Sequence, residues 1–166
     1  RISGRNGVRG IMEIEDLLSS PAQVMPRLKV SSKKQALQDL ARRAGEITGV
    51  HERQIFDVLL ERERLGTTGV GNGIAIPHGK LGDVKKMFGL FARLEHAVDF
   101  EAIDEQPVDL IFLLLAPEGA GADHLKALAR VSRLLRDRAI CEKLRGADQA
   151  EAIYALLTDR AHSHAA

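Results

Sequence analysis

Apolar residues recur at helical spacing through the first third of the chain, then gather into short continuous runs, and return to helical spacing toward the end. Ala36, Leu37, Leu40, Ala41 and Ala44 follow the capping-box pattern Ser32-x-x-Gln35 and stop before Gly49, which predicts an amphipathic helix. Ile55, Phe56, Leu59 and Leu60 predict a second helix over about 51–65, whose end is crowded with Glu61, Arg62, Glu63 and Arg64. The runs 74–76, 87–94 and 108–116 are short, apolar and bounded by Gly or Pro, so they predict strands, the last one buried on both faces. Beyond Pro117-Glu118-Gly119-Ala120-Gly121 a helix is expected that Asp123 caps, that His124 opens, and that turns Leu125, Leu128, Ala129, Val131 and Leu135 inward. Two shorter helices are predicted, one near 137–145 and one from the box Asp148-x-x-Glu151 through Ile153 and Leu157.

Two early helices, then strands, then a helical last third describe an α/β protein. The expected architecture is three layers, α/β/α, around a mixed central sheet of about five strands, in a single domain. The 166 residues, 45% of them hydrophobic, suit one domain with a thick core. Residues 1–11 read as a flexible arm or expression remnant, 12–158 as the folded domain and 159–166 as a flexible tail.

Charge and composition narrow the partners. Lys+Arg 24 against Asp+Glu 23 leaves a net charge of +1, and with one Tyr and no Trp there is little to stack on bases, so no nucleic-acid partner is expected. The longest strongly apolar run, 110–116, is far too short to span a bilayer, and no secretory h-region follows the early arginines, so no membrane insertion and a cytoplasmic location are expected. A single cysteine, Cys141, suits a reducing compartment and reads as a half-buried helical residue.

The densest chemical signal is Gly69-Val70-Gly71-Asn72-Gly73-Ile74-Ala75-Ile76-Pro77-His78-Gly79-Lys80. Glycines let backbone N–H groups approach an anion closely, and here they precede one imidazole at a strand end. The spacing excludes two familiar phosphate motifs. Five residues separate Gly73 from Gly79 and Leu81 follows Lys80, against the four residues and Ser or Thr of a P-loop; Ile74 or Ile76 stands where a dinucleotide fingerprint needs its third glycine. No magnesium-bound nucleotide and no other cofactor is expected.

A neutral imidazole is a competent nucleophile near neutrality, so His78 is the candidate acceptor of a phosphoryl group. Such transfer depends on positioning and on charge stabilisation around the phosphoryl oxygens. Arg62 or Arg64, at the end of the second helix, offers a guanidinium for those oxygens. His124, at a helix start, would be kept neutral by the helix dipole and could donate a hydrogen bond. Thr68, Gly71, Gly73 and Gly79 are the candidate phosphate-binding loop residues. Against this stands the commoner fate of such residues, a surface histidine and a solvated Arg/Glu helix end. No histidine pair has the i, i+4 spacing of a helical zinc site, and His162-x-His164 in a ragged tail is weak evidence, so no metal is expected. Arg130, Arg133, Arg136 and Arg138 read as a solvated face able to steer an acidic partner.

Arg62-Glu63 followed by Gly66-Thr67-Thr68-Gly69 and the glycine stretch through Leu81 resembles the active-site signature of enzyme IIA phosphocarriers of the mannitol/fructose class, above all the nitrogen-regulatory branch (IIA-Ntr). The resemblance continues through Phe100 to Leu110 and into Asp123-His124-Leu125, over about residues 12–158, and departs in the arm, the 118–122 loop and the tail. It implies that His78 accepts a phosphoryl group at Nε2 from an HPr-like (NPr) carrier charged by an enzyme I that uses phosphoenolpyruvate, with His124 and Arg62 in support. It further implies regulatory targets, such as potassium transport components or sensor kinases, that distinguish the phosphorylated from the free form. A subunit that relays phosphate to a separately encoded sugar transporter, and a non-catalytic binding module, are the alternatives.

Overall fold

Ser32 opens the first long helix, α1 (Lys33–Thr48), where its Oγ accepts a hydrogen bond from the Gln35 amide, and Gly49 closes it in the left-handed conformation at φ 83°. The Gln35 side chain caps one residue earlier than the box pattern implies, accepting from the Ser31 amide at 2.7 Å. The computed structural model describes residues 12–159. The proposed arm, and the tail with His162 and His164, lie outside them apart from Asp159.

Helix α2 (Glu52–Arg64) begins at His51, whose Nδ1 accepts from the Arg53 amide, and buries Ile55, Leu59 and Glu63. Six strands follow or precede these helices: β1 (Val24–Leu28), β2 (Gly69–Gly71), β3 (Ile74–Ala75), β4 (His78–Leu81), β5 (Phe88–Val98) and β6 (Val108–Pro117). They form one mixed sheet in the order β1-β5-β6-β3-β2, with β4 also paired to β6. Three of the six were not legible as strands: β1 contains Pro26, tolerated because the strand lies at the sheet edge, and β2 and β4 are only three and four residues long.

Strand β6 is the spine, antiparallel to β5 and parallel to β3 and β4. Its side chains alternate between two cores. Ile111, Leu113 and Leu115 pack with α1 and α2, while Leu110, Phe112 and Leu114 pack with the last three helices, so the three-layer expectation describes the molecule. Those helices are α3 (Ala122–Leu135), α4 (Arg138–Gly146, capped by Asp137) and α5 (Ala150–Thr158). The Asp148 box is not used, since α5 starts at Gln149 without a side-chain cap.

Helix α3 is rotated relative to the sequence expectation. Its inward stripe is His124, Ala127, Arg130, Val131, Leu134 and Leu135, whereas Leu125 is 68% exposed and Ala129 also faces outward. A helical repeat starting at His124 reaches Val131, Leu134 and Leu135 as well as one starting at Leu125 does, and the sheet selects the first. Asp123 sits in the first turn and makes no side-chain cap, because Gly121 is the cap residue. Arg130 leaves the basic stretch altogether: it is 4% exposed, with Nη2 3.9 Å from Glu13 Oε1. Cys141 is buried and its Sγ donates to the Leu135 carbonyl at 3.3 Å.

The glycine stretch is a β-hairpin. Gly71 pairs with Ile74 across Asn72-Gly73, both at positive φ (58° and 80°), the signature of a two-residue turn whose twist suits the flanking strands. A strand then runs along β6 in two pieces. Ile74 and Ala75 pair with Leu110 and Ile111, and after the break at Ile76-Pro77 the next piece resumes with His78 opposite Leu114.

Gly79 faces α2, where an added Cβ would collide with Val58 Cγ1. Gly79→Ala is therefore expected to cost about 1–3 kcal/mol of unfolding free energy, because a valine in a helix cannot readily change χ1. Val58→Ala in the same chain should restore part of the loss. Urea unfolding of wild type and the two variants measures both effects.

Candidate functional site

Residues in register share a face, so His78 projects with Leu114 toward α3, while Gly79 projects with Leu115 toward α2. Among the described residues β4 pairs only with β6, and no strand lies on its outer side. Groups from both helical layers therefore meet around His78. The His124 ring arrives from the first turn of α3, with its centroid 5.5 Å from that of His78. Arg62, in the last turn of α2, reaches round the edge from the opposite face and donates from Nε to His78 Nε2 at 3.2 Å.

The imidazole of His78 is held by its own strand. Nδ1 lies 2.8 Å from the Ile76 carbonyl oxygen, an acceptor only, so Nδ1 carries the proton and Nε2 keeps its lone pair. The Arg62 contact agrees, since a guanidinium N–H needs an acceptor. Arg62 Nη1 is itself fixed by the Gly66 carbonyl at 2.8 Å. Arg64 is elsewhere, exposed and paired with Glu61 at 3.2 Å, so of the two candidate arginines it is Arg62 that lies beside His78.

Burial holds His78 below its ordinary value of 6.5 and the Arg62 charge adds to the effect, against the Ile76 bond and the Glu63 carboxylate, which raise it. Burial likewise lowers His124, helped by the charges of His78 and Lys80. Its Nδ1 is buried without a hydrogen-bond partner among the described residues. Both rings are therefore neutral at physiological pH, within a setting made positive by Arg62 and Lys80. Leu65, Ile103 and Leu125 are exposed: Leu65 follows the last turn of α2, Leu125 adjoins His124, and Ile103 bonds Gly69 of β2 through its amide at 3.3 Å.

The loop residues predicted to bind phosphate are placed differently. Gly73 lies opposite Asp109 and Leu110, and His78 opposite Leu114, an offset of roughly 13 Å along the strand. A Cβ at Gly73 would meet Arg145 and Asp109, and one at Gly71 would meet Asp104. These two glycines serve the hairpin and its anchors, not the imidazole, and Gly79 serves close packing on α2. Thr68 adjoins the site, its carbonyl accepting from the Ile76 amide at 3.0 Å, but its amide and hydroxyl both bond the Glu63 carboxylate.

Glu63 and Lys33 are the residues that sequence reasoning did not single out. Glu63 is buried, and Lys33 Nζ lies 2.9 Å from its Oε1. Its helical spacing, four residues beyond Leu59 on the inward stripe of α2, is the signal that could have marked it as buried. Among the described residues no group of His, Cys, Asp and Glu could hold a metal ion, and no helix is long and apolar enough to cross a membrane.

Residues 18–160 match the family model described as "Phosphoenolpyruvate-dependent sugar phosphotransferase system, EIIA 2". A nitrogen regulatory protein of Bradyrhizobium diazoefficiens is 64% identical over 146 residues, 88% of this chain and 95% of that protein. A fructose-specific EIIA component of Haloferax volcanii is 41% identical over 74% of this chain and 79% of its own length. The crystal structure of nitrogen regulatory protein IIA-Ntr from Neisseria meningitidis superposes with a TM-score of 0.81 at 35% identity, covering 87% of this chain and 97% of that one.

The two neutral rings couple stability to acid. Above 6.5 neither folded nor unfolded imidazole is protonated; as pH falls below it, the unfolded rings take up protons while the folded rings, with lowered values, do not. Folding stability is therefore full above the unfolded value and lost as pH falls through the folded ones. Thermal unfolding midpoints should drop between about pH 7 and pH 5, and the drop should be shallower in the double variant His78→Gln/His124→Gln.

Proposed function

This chain belongs to the phosphoenolpyruvate-dependent sugar phosphotransferase system EIIA 2 family, and on that premise we propose that it carries a phosphoryl group on His78 Nε2. The donor is a phosphohistidine of an HPr-like carrier protein. The observation that carries this reading is the direction of the imidazole: Nδ1–H is bonded inward to Ile76 and the Nε2 lone pair points at the Arg62 guanidinium.

The donor docks at the β4 edge with its phosphorus in line with Nε2. The Nε2 lone pair forms the new N–P bond while the donor N–P bond breaks, and its electron pair returns to the donor imidazole. If the donor ring carries its second proton, it leaves neutral and no proton crosses. The His78 ring becomes cationic, and the Ile76 carbonyl stabilises that charge through the retained Nδ1–H bond. Arg62 yields its bond to Nε2 and follows the phosphoryl oxygens, which accept from its N–H groups. With its proton on Nε2, His124 donates to another of them from the first turn of α3, where the positive end of the helix dipole favours the same negative charge.

Glu63 is the carboxylate whose charge acts on His78, and it is committed to Thr68 and Lys33, so it is not free to activate water. That favours a phosphoprotein that persists until an acceptor arrives over a phosphatase. The output is regulatory, through partners such as potassium transport components or sensor kinases that bind one form in preference to the other. Supporting it is the 64% identity to a protein named for nitrogen regulation. Relay to a sugar transporter is the second reading, favoured by the 41% identity to a fructose-specific component.

Incubation with a phosphorylated HPr-like carrier should place one acid-labile phosphate on His78, and His78→Ala should take none. Arg62→Ala should slow labelling about 100-fold while changing unfolding free energy by no more than about 1 kcal/mol, as expected of a partly exposed helix end. Equal labelling of wild type and His78→Ala would end the proposal.

A further inference from the structure

We infer that Glu63 is a positioning residue of this site: by clasping Thr68 it fixes the 65–68 turn, whose Gly66 carbonyl aims Arg62 at Nε2 of His78. The inference rests on the phosphocarrier reading for its kinetic consequence, but not for its geometry.

The chain of contacts is continuous. Glu63 Oε1 accepts from the Thr68 amide at 3.0 Å, and Oε2 accepts from the Thr68 hydroxyl in a short bond. Two anchors thus pin the far end of the turn to the last turn of α2. The near end is pinned by the backbone, with the Gly66 amide donating to the Glu63 carbonyl at 3.1 Å. Between them Gly66, at φ 147°, turns its carbonyl back to accept Arg62 Nη1 at 2.8 Å. With Nη1 held, Nε is left facing His78.

A buried carboxylate needs strong compensation. Lys33 supplies it from the start of α1, with Nζ 2.9 Å from Glu63 Oε1 and 5.0 Å from the centroid of Phe100. The Phe100 carbonyl in turn accepts from the Thr67 hydroxyl at 2.8 Å, so the turn is tied at consecutive residues, Thr67 to the 99–101 segment and Thr68 to Glu63. A carboxylate buried solely to stabilise the helix end would be a poor choice, since an apolar residue of similar volume would serve. Its two bonds to one threonine instead define a geometry.

The charged and titratable groups around His78 are Arg62 and Glu63 from α2, Lys80 from β4 and His124 from α3. Thr68→Val removes the hydroxyl clasp and leaves all four in place, so it separates positioning from charge. If the turn loosens and Arg62 withdraws, the Arg62 effect that lowers His78 is lost and its pKa rises. Glu63→Gln removes the carboxylate charge as well.

The test uses full-length protein with Glu63→Gln, Thr68→Val and Thr68→Ser, each also combined with Arg62→Ala. The measurements are the rate of phosphoryl uptake from a phosphorylated HPr-like carrier and the His78 ring nitrogen shifts by NMR against pH. Glu63→Gln and Thr68→Val should each slow uptake about 10-fold or more alone, yet less than about 3-fold when Arg62 is already alanine, because residues acting through one another are not additive. Thr68→Ser, which keeps the hydroxyl, should restore the rate. Thr68→Val should raise the His78 pKa in unphosphorylated protein, a readout that needs no transfer and stands even if wild type takes no phosphate. Rates that fall by the same factor with and without Arg62, or a His78 titration unmoved by Thr68→Val, would overturn the inference. Should Glu63→Gln fail to fold, Thr68→Val alone decides it.

Discussion

The hydrogen bond between His78 Nδ1–H and the Ile76 carbonyl, 2.8 Å long, decides which nitrogen faces outward, and the surrounding site depends on that choice. An imidazole free to rotate or exchange tautomers would present a donor and an acceptor by turns. Here the acceptor lies two residues back on the same strand segment, at the break where β3 gives way to β4. Ile76 sends its amide to the Thr68 carbonyl, and Pro77, which has no amide, sends its carbonyl to Leu114. A regular strand would commit its backbone groups to a neighbouring ladder; the interruption leaves the Ile76 carbonyl available to the ring. The proline that ends one pairing segment thereby helps set the chemistry of the next residue.

Position at the sheet edge explains how so few residues make the site. In the interior of a three-layer protein, the two helical layers cannot touch, because the sheet separates them. Beyond β4 there is no further strand among the described residues, and Arg62 from one layer and His124 from the other converge on the same ring. They come with different assets. The arginine is a permanent cation with a planar fork suited to phosphoryl oxygens, whereas His124 is a neutral donor at a helix start, kept neutral chiefly by burial. On the proposed function, one would offer charge and the other direction, so that the site could hold a dianion without being so cationic that it never lets it go.

The fold was legible in the sequence where local pattern and tertiary need coincide. The helix of Ser32 to Gly49, the buried run of β6 and the start near His124 all carry signals that no packing contradicts. The hairpin was half written there: Asn72-Gly73 is a turn signal, but a strand as short and glycine-rich as β2 leaves no pattern, and the same glycines would suit a phosphate cradle. Conformational freedom at a glycine has several uses, and only Arg145 and Asp109, far away in sequence, show which one applies at Gly73. The rotation of α3 was illegible for a related reason. Leu125 and His124 are adjacent, and no periodicity tells which of them the sheet will cover. The histidine is the one turned inward, and the leucine remains outside. Glu63 escaped notice because it sits in a run of charges that reads as a solvated helix end.

That exposed leucine also bears on how the proposed phosphocarrier would signal. Leu65 and Leu125, close in the chain to Arg62 and His124, are open to solvent, and a partner that docks on the imidazole through such apolar groups must desolvate whatever the ring carries. With His78 unmodified and neutral, burial of that ring costs little. With a phosphoryl group there, the same contact must desolvate about two negative charges or bring its own cations to meet them, a cost that an apolar partner surface cannot offset. The two forms can therefore be told apart without any change of backbone conformation. A partner lined with apolar groups selects the free form, one that adds basic groups tolerates the other, and discrimination follows from a charge placed at the centre of an otherwise dry contact.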